Sequence, residues 1–151
     1  MQIKPYSDIY LDESAKLLVH IYSKENKKWD LEKAKEYIQR NTVRFSDYCL
    51  VALDDHGTCI GGIFCRIDPD YDRYLLYIDL LQVIEEYRNQ GVGKNLLRRV
   101  IAKAKEKNIN SIQLLTDGTE EFPQNWYQQM GFKKTGWIEY EAMVDDIRNI
   151  L

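Results

Sequence analysis

One segment constrains the fold more than any other: a long apolar run that leads into a glycine-containing turn and then an amphipathic helix. The run covers residues 74–83, the turn carries Gly91 and Gly93, and the helix has an apolar stripe from Val92 to Ala104. A second apolar stretch at residues 111–116 follows the helix. A strand, a crossover helix and a strand in this order predict a right-handed parallel pair.

The segments around this unit predict further helices and strands. A short strand at residues 2–5 precedes two amphipathic helices, the second of which Asp30 can cap. Strand-like runs at residues 48–53 and 59–67 are joined by a turn of hairpin length, and a loop is predicted at residues 68–73. A short helix at residues 121–130 can end at Gly131, and residues 132–143 are expected to return as extended structure. The expected fold is one α/β (mixed α+β) domain over residues 1–151.

Composition and charge narrow the classes of protein to which the chain can belong. Of its 151 residues, 44% are apolar and 30% are charged, which is typical of a soluble globular domain. The net charge of -3 argues against a nucleic-acid binder, since such proteins carry a basic excess. Neither an apolar signal segment nor a membrane span is apparent, so a cytoplasmic protein is expected. Cys49, Cys59 and Cys65 lack metal-ligand spacing and are expected to be buried free thiols.

The turn between the long strand and its helix has the chemistry of an anion site. Gly91 and Gly93 let the backbone approach a ligand closely, and the unpaired amides at the start of a helix attract a phosphate group. An ordinary tight turn would show the same glycines, so the motif depends on the strand and helix around it. The spacing is not that of a Walker loop, and Leu96 stands where a dinucleotide-binding fingerprint needs its last glycine.

Two motifs in register resemble the signatures of the GNAT superfamily of acetyl-CoA-dependent N-acetyltransferases. Arg88-Asn-Gln-Gly-Val-Gly93 is similar to the family's Arg/Gln-x-x-Gly-x-Gly/Ala turn, and Tyr127-Gln-Gln-Met-Gly-Phe132 to its tyrosine-to-Gly-Phe segment. The chain departs from the family pattern at Glu120 and Pro123, where an asparagine and an alanine are common. The resemblance implies a GNAT-like fold: a central mixed, mostly antiparallel sheet with a splayed parallel strand pair, flanked by about four helices.

The resemblance also implies acetyl-CoA as the co-substrate and assigns residues to it. Backbone amides of the turn would wrap the CoA pyrophosphate, and the end of the long strand would pair with the pantetheine arm. The residues concerned are Leu81, Gln82 and Val83 in the strand and Arg88, Asn89, Gln90, Gly91, Val92, Gly93 and Lys94 in the turn. No metal is expected, because direct transfer of the acetyl group needs none.

Asp79 is the first candidate for a general base. It lies in the long strand where some GNAT members carry a catalytic histidine, with Glu85 and Glu86 as fallbacks. Asp79 could equally be a satisfied polar residue that orients the sheet. Strict alternation along the strand puts Tyr77, Asp79 and Leu81 on one face and Ile78, Leu80 and Gln82 on the other.

Tyr127 is the candidate general acid. By the resemblance it would protonate the departing CoA sulfur or hold it by a hydrogen bond, since a phenol is a neutral donor at pH 7. Its alternative is a packed aromatic next to Trp126.

The acceptor is expected to be a primary amine of a small molecule that attacks acetyl-CoA directly in a ternary complex. Tyr22, Glu25, Trp29, Asp30 and Tyr37 could build an amine pocket, although helix packing and capping explain them equally well. Acetylation of a protein lysine or N-terminus, and a non-catalytic acyl-CoA-binding regulatory module, are the alternatives. Neither nucleic acid nor membrane is expected as a partner, and a strand at residues 132–143 could support a homodimer.

Overall fold

The structure, a computed structural model, describes residues 1–150. It contains two compact units, of which the first is Met1–Leu115 and the second begins at Thr116. The elements of the first are β1 (Gln2–Pro5), α1 (Leu11–Tyr22), α2 (Leu31–Phe45), β2 (Cys49–Leu53), β3 (Cys59–Asp70), β4 (Arg73–Val83), α3 (Val92–Glu106) and β5 (Ile112–Leu114). The second contains α4 (Glu121–Gln129). The predicted mixed α/β class with about four helices is confirmed; that the chain is one domain stays a prediction.

The five strands form one mixed sheet in the order β1-β2-β3-β4-β5. Neighbouring strands are antiparallel except for β4 and β5, which are parallel and joined through α3. The predicted strand–helix–strand crossover is therefore confirmed. In the part of the chain that the structure describes, the β4–β5 ladder runs from the Leu76–Ile112 pair to the Ile78–Leu114 pair.

The core forms because each helix and the sheet bury apolar side chains on the faces by which they contact each other. The Asp30 side chain accepts a hydrogen bond from the Lys33 amide at 3.1 Å and so starts α2 as predicted. A cluster of buried side chains joins α1 and α2 to one sheet face: Tyr6, Ala15, Leu17, Leu18, Ala34, Ile38, Cys49, Val51, Leu53, Cys59, Phe64 and Leu80. α3 packs its own buried stripe against β2, β3 and β4.

The three cysteines lie in this apolar interior as free thiols, which confirms that prediction. Burial raises the pKa of Cys49 to about 12, so its thiolate is scarce at neutral pH and the thiol is a poor nucleophile.

A β-bulge at Asp79 breaks the alternation of β4. Leu80 pairs with Phe64 and Ile78 pairs with Cys65, so Asp79 is an extra residue with no partner on β3. Because adjacent residues such as Phe64 and Cys65 point to opposite faces, Ile78 and Leu80 do so too. The prediction that Ile78 and Leu80 share one face is therefore wrong. So is the prediction that Tyr77 and Leu81 share the other, because their partners Arg66 and Ile63 also point to opposite faces.

Two predicted segments differ in the structure. The prediction of a loop at residues 68–73 is wrong. β3 and β4 stay paired out to Asp70 and Arg73, so only Tyr71 and Asp72 form a tight turn. The extended structure predicted at residues 132–143 belongs to no strand in the described chain. The apolar side chains of this segment are not packed against a neighbouring strand, and Trp137 is 86% exposed.

Among residues 1–150, no helix is both long enough and apolar enough to cross a bilayer.

Gly61 tests how closely β3 and β4 must approach each other beyond the bulge. A Cβ atom at Gly61 would lie 2.6 Å from the Gln82 carbonyl oxygen. We therefore expect Gly61→Ala to lower the free energy of unfolding by about 1–3 kcal/mol through overpacking, measured by urea titration. Gly136→Ala is the control, because a Cβ there meets nothing within 4 Å. Equal stability of the two variants would contradict the close approach.

Candidate active site

The parallel pairing of β4 with β5 ends at Ile78, and β4 continues for five more residues without β5 alongside it. The Ile84 amide donates to the Ile60 carbonyl at 2.9 Å, so Ile84 faces β3. By alternation Gln82 and Leu80 also point their backbone groups at β3, whereas Leu81 and Val83 point theirs the other way. The last part of β4 is therefore a sheet edge on the side where β5 would lie; we call residues 79–83 of this side the open edge.

The bulge determines which residues of β4 have their backbone groups on the open edge. Before it, the Leu76 amide donates to the Ser111 carbonyl at 2.9 Å, so even-numbered residues face β5. After it, odd-numbered residues take that side. The predicted pantetheine-binding residues Leu81 and Val83 thus have backbone groups on the open edge, while Gln82 does not.

The Gln82 side chain contacts α1 and is not part of the open edge. It is only 2% exposed, and its Nε2 donates to the Ser14 carbonyl of α1 at 3.0 Å. Among the described residues its Oε1 has no hydrogen-bond partner. Of the three strand residues predicted to bind CoA, Gln82 therefore connects β4 to α1, whereas Leu81 and Val83 have backbone groups on the open edge.

The turn after β4 leads into α3 with left-handed backbone conformations. Asn89 has φ 62° and Gly91 has φ 83°, and α3 begins at Val92 with no side-chain cap. An asparagine and a glycine are the residue types that adopt such φ values at least cost. By helix geometry the Val92, Gly93 and Lys94 amides lack partners within α3. This helix start, unlike that of α2, leaves donors and a positive dipole end for an anion.

The Arg88 side chain folds back onto the end of β4, and the Gln90 side chain folds back onto the turn that follows it. The Arg88 Nε donates to the Val83 carbonyl at 3.0 Å, and the Gln90 Nε2 donates to the Glu86 carbonyl at 3.1 Å. Arg88 and Gln90 are exposed, as are Glu85 and Glu86. Apart from Gln82, the strand and turn residues predicted for CoA therefore lie between the open edge of β4 and the start of α3.

Asp79 is surrounded by donors. Its side chain is 6% exposed; Oδ1 accepts from Arg66 Nη1 and lies 3.5 Å from Arg40 Nη2, and Oδ2 accepts from Asn41 Nδ2 at 2.7 Å. Arg66 also binds Asp68 through Nε and stacks over the Tyr77 ring at 4.1 Å. The cluster holds the bulge, because it ties β4 to β3 and α2. These contacts favour the structural alternative for Asp79.

Arg66 and Asn41 were not among the residues predicted from sequence. Asn41 does carry a signal, since it follows Ala34 and Ile38 on the inner face of α2, where an apolar residue is expected. A fully buried polar residue in an apolar stripe requires a partner, and here the partner is Asp79. Arg66 has no comparable signal, because an arginine near the end of the predicted strand at residues 59–67 is ordinarily a solvent-exposed residue.

Tyr22 and Tyr37 reach the open edge, whereas Asp30 serves as a cap. The Tyr22 hydroxyl donates to the Leu81 carbonyl at 2.7 Å, and the Tyr37 hydroxyl donates to the Asp79 carbonyl at 3.0 Å. Trp29 packs edge-on against Tyr37, with ring centroids 5.3 Å apart. Glu25 is exposed in the loop between α1 and α2.

In the second unit, Tyr127 takes part in the C-terminal cap of α4. The Phe132 amide donates to the Tyr127 carbonyl and the Gly131 amide to the Gln128 carbonyl, while Gly131 has φ 103°. This is a Schellman motif, and the Tyr127 and Phe132 rings supply its apolar contact at 5.4 Å. The Tyr-to-Gly-Phe spacing therefore has a local structural cause. Tyr127 also packs against Trp126 at 5.0 Å.

Comparison with known proteins identifies the family. Residues 15–132 match the profile of the Acetyltransferase (GNAT) family. N-alpha-acetyltransferase 30 of Schizosaccharomyces pombe is 29% identical over 132 residues, which cover 86% of this chain and 82% of that protein. Seven further curated relatives are matched over half of their own length or less.

Solved structures share the fold. The NatC complex bound to Gag peptide and CoA contains a chain with a TM-score of 0.72 and 25% identity, over 89% of this chain and 87% of that one. The aminoglycoside antibiotic 6'-N-acetyltransferase AAC(6')-IG from Acinetobacter haemolyticus has a TM-score of 0.77, over 95% of this chain and 98% of that one. The identity with the second is 18%, so that likeness concerns the fold alone.

Replacing Asp79 distinguishes a structural carboxylate from a base. Asp79→Asn removes the charge that Arg66 faces in a nearly buried setting, so we expect the free energy of unfolding to fall by about 1.5–3 kcal/mol. Asp68→Asn removes a carboxylate that binds the same Arg66 but is 34% exposed, and should cost less than about 1 kcal/mol. Urea titration of both variants measures the difference. Lost turnover with unchanged stability in Asp79→Asn would instead identify a base.

Proposed function

The chain belongs to the acetyltransferase (GNAT) family, and we propose that it moves the acetyl group of acetyl-CoA to the α-amino group of a peptide or protein N-terminus. The observation that carries this choice of acceptor is the similarity to N-alpha-acetyltransferase 30 over most of both chains. The small-molecule amine expected from sequence has weaker support, because the aminoglycoside enzyme is only 18% identical. The chain is an acetyl-CoA-dependent N-acetyltransferase in either case.

The residues of the first unit fit acetyl-CoA. The uncapped α3 start and the left-handed Gly91 suit a pyrophosphate, which the Val92, Gly93 and Lys94 amides would hold, with Arg88 and Gln90 at the rim. The open edge suits the pantetheine arm, since an extended chain with amide groups can add to a sheet edge. When bound, acetyl-CoA supplies an activated thioester carbonyl. Leu81 and Val83 amides on the open edge would donate to carbonyl oxygens and stabilise charge that develops there.

The proton balance favours an α-amine. At pH 7.2 roughly a fifth of α-amino groups are neutral if their pKa is about 7.8, whereas fewer than about one lysine in a thousand is neutral. An enzyme without a dedicated strong base can therefore use an N-terminus far more readily than a lysine. Asp79 does not supply that base in this proposal, since Arg66 and Asn41 engage both of its oxygens. Water would carry the remaining proton away.

Tyr127 keeps the role of acid in the proposal. Its phenol would hold or protonate the CoA sulfur as that group leaves, and its ring contacts with Trp126 and Phe132 would fix its orientation. The Schellman cap of α4 fixes the backbone at Tyr127.

A matched pair of peptides tests the acceptor class. The two peptides share one sequence with an internal lysine, and one of them has a blocked N-terminus. For the free peptide we expect acetylation at the α-amine, with kcat/KM rising with pH and levelling off near about pH 8, because only the neutral amine attacks. CoA release gives the rate and mass spectrometry the position.

Two outcomes would contradict the proposed acceptor. One is acetylation of the blocked peptide at its lysine, with a profile that rises towards about pH 10. The other is turnover with small amines only.

Tyr127→Phe tests the acid while keeping the ring that caps α4. We expect kcat to fall by roughly 10²-fold and the Kd of acetyl-CoA to stay unchanged, because the hydroxyl acts on the leaving sulfur. Tyr140→Phe is the control, since Tyr140 belongs to the same unit and is 90% exposed. Steady-state rates and calorimetry measure the two quantities. Equal kcat in the two variants would rule out the acid role.

A further inference from the structure

At the open edge the backbone carbonyls already accept hydrogen bonds from side chains of the protein. The three outward carbonyls of this edge, on Asp79, Leu81 and Val83, each accept from a side chain: Tyr37 at 3.0 Å, Tyr22 at 2.7 Å and Arg88 at 3.0 Å. The acceptors of the edge are thus engaged by the protein itself, and its amides are the groups left to bind a ligand. A ligand on this edge is held mainly through its own carbonyl oxygens.

Tyr22 differs from the other two donors because its oxygen can still accept a hydrogen bond: Arg88 has no acceptor atom, and the Tyr37 hydroxyl is also hydrogen-bonded to Arg40. A tyrosine hydroxyl has one proton and two lone pairs, and the Tyr22 proton is directed at the Leu81 carbonyl. Among residues 1–150 this is the hydrogen bond that its hydroxyl makes, so the phenolic oxygen keeps its capacity to accept. Tyr22 is the last residue of α1, and the residue as a whole is 42% exposed.

The Tyr22 hydroxyl is protonated at neutral pH. Packing around the hydroxyl raises the pKa of Tyr22 to about 12, although the nearby Arg88 charge opposes the shift. Tyr22 is therefore a phenol that can orient a partner but cannot take its proton.

The position of Tyr22 relates it to the reacting atoms. The amide and carbonyl of one strand residue point to the same side, so an acyl oxygen bound by the Leu81 amide lies next to the group that binds the Leu81 carbonyl. That group is the Tyr22 hydroxyl. An amine can therefore reach the acyl carbon from the side of the Tyr22 hydroxyl.

We propose that Tyr22 binds the acceptor: its phenolic oxygen accepts a hydrogen bond from the incoming amino group and holds the nitrogen beside the acyl carbon. This role rests on the proposed function, because it presumes that acetyl-CoA occupies the open edge. No proton moves to Tyr22 in this step. The contact instead fixes the direction of approach, so its loss acts on the acceptor and spares the binding of acetyl-CoA.

Tyr22→Phe tests the proposal, since it keeps the ring and removes only the hydroxyl. We expect the KM of the acceptor to rise about tenfold, the size of one hydrogen bond between neutral groups, while the Kd of acetyl-CoA stays at its wild-type value. The Leu81 carbonyl loses its Tyr22 donor, but water can replace that donor at this exposed edge, so the Tm should fall by no more than about 4 °C. Tyr71→Phe is the control, because Tyr71 lies in the β3–β4 turn and is 96% exposed. Initial rates over a range of acceptor concentrations give KM and kcat separately.

The acceptor in this assay is whichever of a free-N-terminus peptide and a panel of small amines the wild-type protein acetylates. Turnover of small amines alone overturns the proposed function and still tests Tyr22 on those amines. An unchanged acceptor KM in Tyr22→Phe overturns the inference. So does a parallel loss of acceptor binding, acetyl-CoA affinity and Tm, because that pattern belongs to a hydroxyl that only caps the strand. Acetylation of no amine overturns both proposals.

Discussion

The bulge at Asp79, held by the Arg66–Asp79–Asn41 contacts, is the constraint on which the candidate site depends. One extra residue in β4 reverses the side to which each later backbone group points, so Leu81 and Val83 face the open edge. Without the bulge, the backbone groups of Leu81 and Val83 would face β3, and their amides would hydrogen-bond to that strand. The buried carboxylate contributes by fixing that geometry: it joins β3, β4 and α2 at one point with hydrogen bonds from two other elements.

The open edge and the α3 start are two donor sites joined by one short connection. β4 ends at Val83, and nine residues later α3 begins at Val92. Amides at the open edge suit carbonyl oxygens, and amides at the helix start suit a phosphate group. Arg88 links the two by donating to the Val83 carbonyl within the turn itself. A ligand that carries amides at one end and a pyrophosphate at the other matches this order of groups, as CoA does.

Sequence patterns predicted the elements whose period is regular and failed where one residue breaks the period. The stripes of α1, α2 and α3 and the parallel crossover are present as expected, because helix and strand periods are local properties. The change of face between Tyr77 and Leu81 was not predictable, since a bulge is a relation between two strands and leaves no mark in β4 alone. Asn41 could have been singled out as a polar residue in an apolar stripe, but its partner Asp79 is distant in sequence. Residues 132–143 show the converse limit: their apolar residues suggested a strand, yet a strand also needs a partner.

Backbone amide chemical shifts of the isotope-labelled protein, followed by NMR as CoA is added, test the central claim most directly. If CoA lies along the open edge and at the α3 start, the largest changes occur at the amides of Leu81 and Val83 and of Val92, Gly93 and Lys94. The Leu80 and Gln82 amides, which face β3, change much less. CoA binding that leaves Leu81 and Val83 unshifted, or that shifts Leu80 and Gln82 as much as them, would contradict the account.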